Sequence, residues 1–178
     1  LMAHATFGCG ITRHGSPGSY TYSVEAAFVN RPVNYVDFYD TLRFANWMHN
    51  GQPSGAQDAW TTEDGAYDMS LGSAVVRKPN ARVWLPNENE WYKAAYYSAS
   101  NSLYYDYPNG SDLVPDEPTN GTSPRVFNFG DTPFWDGTVV FTSTGDTTGR
   151  SPYGTYDQGG NVEEWTETFS TPDFRILR

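Results

Sequence analysis

Residues 153–167 hold the densest set of groups able to do chemistry. Gly154, Gly159, Gly160 and Asn161 alternate with four acids, Asp157, Glu163, Glu164 and Glu167, around Trp165. Glycine admits tight and left-handed backbone and leaves neighbouring carbonyls unshielded. Asp157 and Glu164 add hard anionic oxygens beside those carbonyls, a donor set that suits Ca²⁺. The same composition also describes a turn entering a half-buried strand, with Val162 and Trp165 inward and the acids solvated. A second stretch has similar donors: Asn128 and Asp136 offer side-chain oxygens, and Phe129 and Thr138 offer carbonyls.

Other chemistries find less support. Cys9 is the single cysteine, so an intramolecular disulfide and a cysteine zinc site are both excluded. It lies in a Gly-rich segment with no base nearby and reads as a small buried or idle thiol. His4, His14 and His49 lack metal-ligand spacing and read as surface or packing residues. Carboxylates are abundant, but no spacing singles out an acid–base pair. Lys+Arg of 11 against Asp+Glu of 21 gives a formal charge of -10, which argues against nucleic acid and anionic membrane as partners.

Three ordered motifs carry a resemblance. Gly160-Asn161-Val162-Glu163-Glu164-Trp165 resembles the Gly-Asn-Val-x-Glu-Trp signature of the formylglycine-generating-enzyme, or sulfatase-modifying factor, family. Pro32-Val33-Asn34-Tyr35-Val36-Asp37 running on to Phe44-Ala45-Asn46-Trp47 resembles that family's first helix, and Leu85-Pro86-Asn87-Glu88-Asn89-Glu90-Trp91 its second. The resemblance implies an α+β, loop-rich C-type-lectin-like fold, with two main helices packed on small twisted antiparallel sheets. It also implies structural calcium. One site would use Asp157, the Gly160 and Val162 carbonyls and Glu164; the other would use Asn128, Phe129, Asp136 and Thr138 over a loop shorter than the family's. The family's oxidases bind copper through a cysteine pair near the domain's end, and soft Cu(I) needs thiolates. Its iron-dependent sulfoxide synthases draw ligands from a separate histidine-bearing domain. Neither ligand set occurs in these residues.

The elements that must position these groups follow from pattern. A helix is predicted from about Phe38 to Met48, capped by Asp37, with Phe38, Leu42, Ala45 and Met48 on its core face. Asn50-Gly51 stops it. A second helix follows Pro86, with Asn87 as cap, Glu90 completing a capping box, and Trp91, Ala94 and Ala95 inward. Asp64-Gly65 predicts a hairpin turn. Val75-Val76, residues 82–85 and the Tyr20, Tyr22, Val24 alternation predict short strands, and residues 173–178 predict another, cut short. Tyr97, Tyr104, Tyr105 and Tyr107 cluster about a loop ending in Asn109-Gly110; they suit either a ligand-binding surface or a cover over the core.

At 178 residues, with no linker or internal repeat, the expectation is one domain over residues 1–178, incomplete at both ends. The chain starts at Leu1 without a signal sequence, so an exported parent would already be processed. The leading expectation is a non-catalytic, calcium-stabilised binding or assembly module of an extracellular or cell-surface protein, engaging a protein or glycan ligand or another copy of itself. A formylglycine-generating-type oxidoreductase with catalytic cysteines beyond Arg178 is the second reading. A structural subunit of an extracellular filament or layer is the third.

Overall fold

The structure, a computed structural model, describes residues 10–16, 19–115, 149–171 and 174–178. It is a mixture of helix and small antiparallel sheets. Strands β1 (Ile11–His14) and β2 (Thr21–Val24) are followed by helices α1 (Phe38–His49) and α2 (Glu88–Tyr96), then β3 (Tyr97–Ser98), β4 (Leu103–Tyr104), β5 (Trp165–Thr171) and β6 (Phe174–Leu177). The strands pair as three two-stranded antiparallel sheets, β1-β2, β3-β4 and β5-β6. Among the described residues no helix is long and apolar enough to cross a membrane. The chain divides into two compact units: Val36–Glu88 with Trp165–Leu177, and Leu1–Tyr35 with Asn89–Glu164 and Arg178.

The first of these units is built around α1. Asp37 has extended backbone and its Oδ1 accepts the Asp40 N–H at 2.8 Å, satisfying one of the helix's orphan donors. Asp40 in the first turn matches the helix dipole. Leu42 and Ala45 are buried with Ala66, Tyr67 and Val75, and Phe38, Tyr39, Met69, Ala81 and Leu85 pack against them. Leu42 and Ala45 therefore hold the predicted core face; Phe38 is half-buried and packs against it, and Met48 is also only half-buried.

Residues 50–85 contain no strand, contrary to the expected hairpin and short strands. Two asparagines four residues apart, Asn46 on α1 and Asn50 at its C-terminal cap, take over the pairing. Asn46 Nδ2 donates to the carbonyls of Thr62 (2.8 Å) and Tyr67 (2.9 Å), and its Oδ1 accepts the Tyr67 N–H (2.8 Å). Asn50 Nδ2 donates to the carbonyls of Thr61 (3.0 Å) and Asp64 (2.8 Å). Buried backbone groups must find partners somewhere, and here amide side chains supply them in place of a neighbouring strand. Gly65 sits where they converge: at φ 155, a Cβ there would lie 3.1 Å from both Asn46 Oδ1 and Asn50 Oδ1. Val75, expected in a strand, caps a 3-10 segment (Met69–Ala74) and is buried.

The β5-β6 ladder completes this unit. Trp165 donates its indole N–H to the Val36 carbonyl at 2.9 Å and meets the Phe38 ring edge-on at 6.0 Å. Thr166 is buried and donates to the Ile176 carbonyl. Tyr67 donates its phenol to Glu167, accepts the Leu85 N–H, and sits beside the Arg77–Glu167 ion pair. Burial, then the Glu167 contact, push that phenol far above its ordinary range.

In the second unit Trp91 and Ala95 of α2 are buried, while Ala94 is half-buried. The Tyr20 to Val24 alternation does form β2, but all four residues of that strand are exposed.

Candidate functional site

The acidic turn enters from a tight knot. Ser151 is buried, pairs with Thr155 Oγ1 at 2.6 Å, and accepts the N–H groups of Tyr153 and Thr155. Arg150 and Tyr156 form an isolated antiparallel bridge across this loop. The chain then reverses through three left-handed residues, Asp157 (φ 63), Gly160 (φ 136) and Asn161 (φ 71). Asp157 and Asn161 carry a side chain in a region most residues avoid. Val162 N–H donates to the Gly160 carbonyl at 3.0 Å, and the Arg178 N–H donates to the Glu164 carbonyl at 2.9 Å, anchoring the end of the turn.

Glu163 is exposed and Glu164 turns inward, where its carboxylate accepts the Trp91 indole N–H. Burial raises the Glu164 pKa above the ordinary carboxylate range. The Trp91 hydrogen bond opposes that rise and the negative charge of Asp157 adds to it. The structure thus brings Asp157 and Glu164 within mutual electrostatic reach, with Gly160 and Val162 on the backbone between them. Two carboxylates are what this turn supplies: among the described residues no three His, Cys, Asp or Glu side chains converge. Further oxygens for a cation would come from carbonyls and water, a mixture Ca²⁺ accepts. The Gly160 carbonyl keeps a second lone pair after its bond to Val162.

Asn128, Phe129, Asp136 and Thr138, the other expected metal donors, lie outside the described residues, as do His4 and Cys9. His14 Nε2 pairs with Ser23 Oγ at 2.8 Å, and His49 Nδ1 accepts the Arg82 N–H at 3.0 Å.

The four predicted ligand-binding tyrosines separate into two places. Tyr97 and Tyr104 face each other across β3-β4, their rings 4.9 Å apart, and Tyr92 of α2 extends the stack at 5.4 Å from Tyr104. Tyr92 and Tyr104 are about half exposed, so this is an aromatic surface rather than a core cover. Tyr105 lines a cavity instead, and Tyr107 closes an isolated bridge with Ser111. That cavity also takes in Asn109, Arg150 and Ser151, which pattern reading did not assign. The one signal was the Asn109-Gly110 turn. Asn109-Gly110-Ser111 fits an N-glycosylation acceptor, yet the Asn109 amide atoms are shielded from solvent.

Comparison with known proteins comes down to one family. The family model of the sulfatase-modifying factor enzyme 1-like domain matches residues 9–174. No curated protein and no solved structure matches. The chain belongs to the sulfatase-modifying factor enzyme 1-like domain family.

Proposed function

We propose that this member of the sulfatase-modifying factor enzyme 1-like family is a non-catalytic, calcium-stabilised binding or assembly module of an exported or surface protein, on a C-type-lectin-like fold. The observation that carries the reading is the pairing of Asp157 with the inward Glu164 on a turn of left-handed residues. Burial and the negative charge of Asp157 both disfavour an ionised Glu164, and a bound cation would offset both. Hard oxygens and bare carbonyls favour Ca²⁺ over softer ions. Asp157, Glu164 and the Gly160 and Val162 carbonyls would hold it, and it would fix a loop that buries little apolar surface. A second ion at Asn128, Phe129, Asp136 and Thr138 belongs to the same proposal.

Two features support binding over catalysis. Within these residues the lone thiol is Cys9, so the thiolate pair that copper chemistry needs is not supplied by them. The Tyr92, Tyr97 and Tyr104 surface offers broad contact at small entropic cost to a protein, a glycan or a second copy of the chain.

Thermal unfolding with calcium and with a chelator tests the reading. Calcium at a hundredfold excess over its Kd adds about 2.7 kcal/mol, and Asp157→Ala abolishes that gain. Glu164→Gln has a two-sided signature: it stabilises the chelated protein by removing a poorly solvated charge, and it weakens the calcium response. Identical melting curves with and without millimolar calcium would sink the proposal.

A further inference from the structure

The cavity beside Tyr105 has a volume of about 520 Å³, a size typical of small-molecule sites. Two pinched loops of one unit build it. The first is closed by the Tyr107–Ser111 bridge and has Asn109-Gly110 at its tip; the second is closed by the Arg150–Tyr156 bridge. Gly110 adopts φ 68, and a Cβ built on it would meet the Pro152 ring at 3.5 Å, so the two tips lie close together. The walls are already tied. Asn101 Nδ2 donates to the Tyr105 hydroxyl at 2.7 Å, Ser98 pairs with Ser100 at 3.1 Å, and Ser151 is engaged by Thr155. Such a site is organised before a ligand arrives.

Asn109 is the exception. Its Nδ2 and Oδ1 are both shielded from solvent and both lack a hydrogen-bond partner among the described residues. An amide in that state asks for one donor and one acceptor at once. Adjacent hydroxyls provide that pair, since each hydroxyl both donates and accepts. Because the amide is shielded, a ligand meets it through a turn of the Asn109 side chain. Arg150 brings a guanidinium whose planar fork matches a carboxylate. The Tyr105 and Tyr153 rings offer faces for C–H groups.

The lining also excludes alternatives. Among the described residues it is lined by no Asp, Glu, His or Cys, which disfavours a cation. It is mainly polar, which disfavours a lipid. One guanidinium in a chain of net charge -10 disfavours a polyphosphate. A peptide would want a mainly apolar recess for a side chain, and these mainly polar walls disfavour one.

We propose that this cavity binds a small polyhydroxylated ligand bearing a single carboxylate, of the uronic-acid class. Arg150 takes the carboxylate and Asn109 a pair of neighbouring hydroxyls. The proposal gives the binding reading above its ligand class and makes no use of calcium.

Calorimetric titration of the whole chain with a glucuronate-terminated disaccharide tests it, beside the glucose-terminated analogue and a short peptide carboxylate. The expected result is saturable uronate binding, at least about tenfold tighter than the neutral sugar. Arg150→Ala, a change to an exposed side chain, should reduce uronate affinity to the neutral level and leave the neutral sugar unchanged. Asn109→Ala should weaken both sugars. Absence of uronate binding up to ~10 mM, indifference to Arg150→Ala, or preference for the peptide overturns the proposal. Every titration is run with calcium and with chelator. Binding that persists in chelator, in a protein whose melting ignores calcium, sinks the calcium reading alone. Calcium stabilisation without uronate binding sinks this one alone.

Discussion

The loop over residues 50–85 and the acidic turn over residues 157–164 both run mostly without strand or α-helix, yet their charged groups meet different surroundings. In the loop, Glu63 accepts from Arg43 Nε at 2.8 Å and Asp64 pairs with Lys78. Backbone groups that would be orphaned end on Asn46 and Asn50. In the turn, the neighbours acting on Glu164 are an indole N–H and a second carboxylate. The loop is completed by side chains of its own and of α1. The turn retains an electrostatic cost that a cation from outside would relieve. The charges of the two irregular stretches are thus met differently, and composition alone does not separate them: both stretches read as acidic, Gly-containing and turn-rich.

The largest expected effect tests how firmly α1 holds the loop. Asn46→Ala removes three hydrogen bonds from a fully buried side chain, and leaves the Tyr67 N–H and carbonyl unpaired. A loss of about 3 kcal/mol in urea unfolding is expected. A loss under ~1 kcal/mol would mean that the amides decorate the loop rather than hold it.

Gly65→Ala comes next. The added methyl meets both asparagine oxygens at 3.1 Å on a backbone at φ 155, so the cost is about 1–3 kcal/mol. The same exchange at Gly51, also at positive φ but with no atom near its would-be Cβ, carries the conformational part alone, so the smaller loss there sharpens the assignment to close approach.

The smallest effect distinguishes the two regions by sign. Hydrogen bonds from Arg43 and Lys78 hold Glu63 and Asp64 below their ordinary values. Their contribution is present above the unfolded carboxylate pKa and disappears as pH falls through the lower folded values. Glu164 is raised, so its contribution is present below the unfolded value and disappears as pH rises through the folded one. Acidification from about pH 6 to about pH 3 should therefore weaken amide protection around residues 58–67 and strengthen it around residues 160–164. The loop pairs are partly exposed, so each counts for well under ~1 kcal/mol. Hydrogen exchange moving in parallel in both regions would erase the distinction.

The helices were legible because their signals are local. Asp37, Asp40 and the spacing of Phe38, Leu42 and Ala45 lie within nine residues, and the helix begins where they place it. The same holds for Trp91 and Ala95 after Pro86. The Asn46 and Asn50 contacts were not legible, since they join positions 11 to 21 apart through side chains that look like ordinary polar helix residues. Their capture of the loop backbone also explains why the Asp64-Gly65 turn signal produced no hairpin. The acidic turn was visible as a donor set, although the inward course of Glu164 depends on Trp91, 73 residues earlier. The cavity was invisible for the same reason: it assembles residues from 98 to 154, and a lone arginine in a Gly-rich stretch carries no periodic signal.

Trp60 stands 85% exposed on the loop, its backbone N–H held by Asp58 Oδ1 at 2.8 Å while Asp58's carbonyl accepts the amides of Thr61, Thr62 and Glu63. The protein therefore carries a built-in optical handle. An indole so fully hydrated emits at long wavelength and is open to aqueous quenchers, whereas Trp91 and Trp165 are sheltered. A blue shift seen on mixing with a partner, and lost in Trp60→Phe, would locate the landing place on this loop without any label.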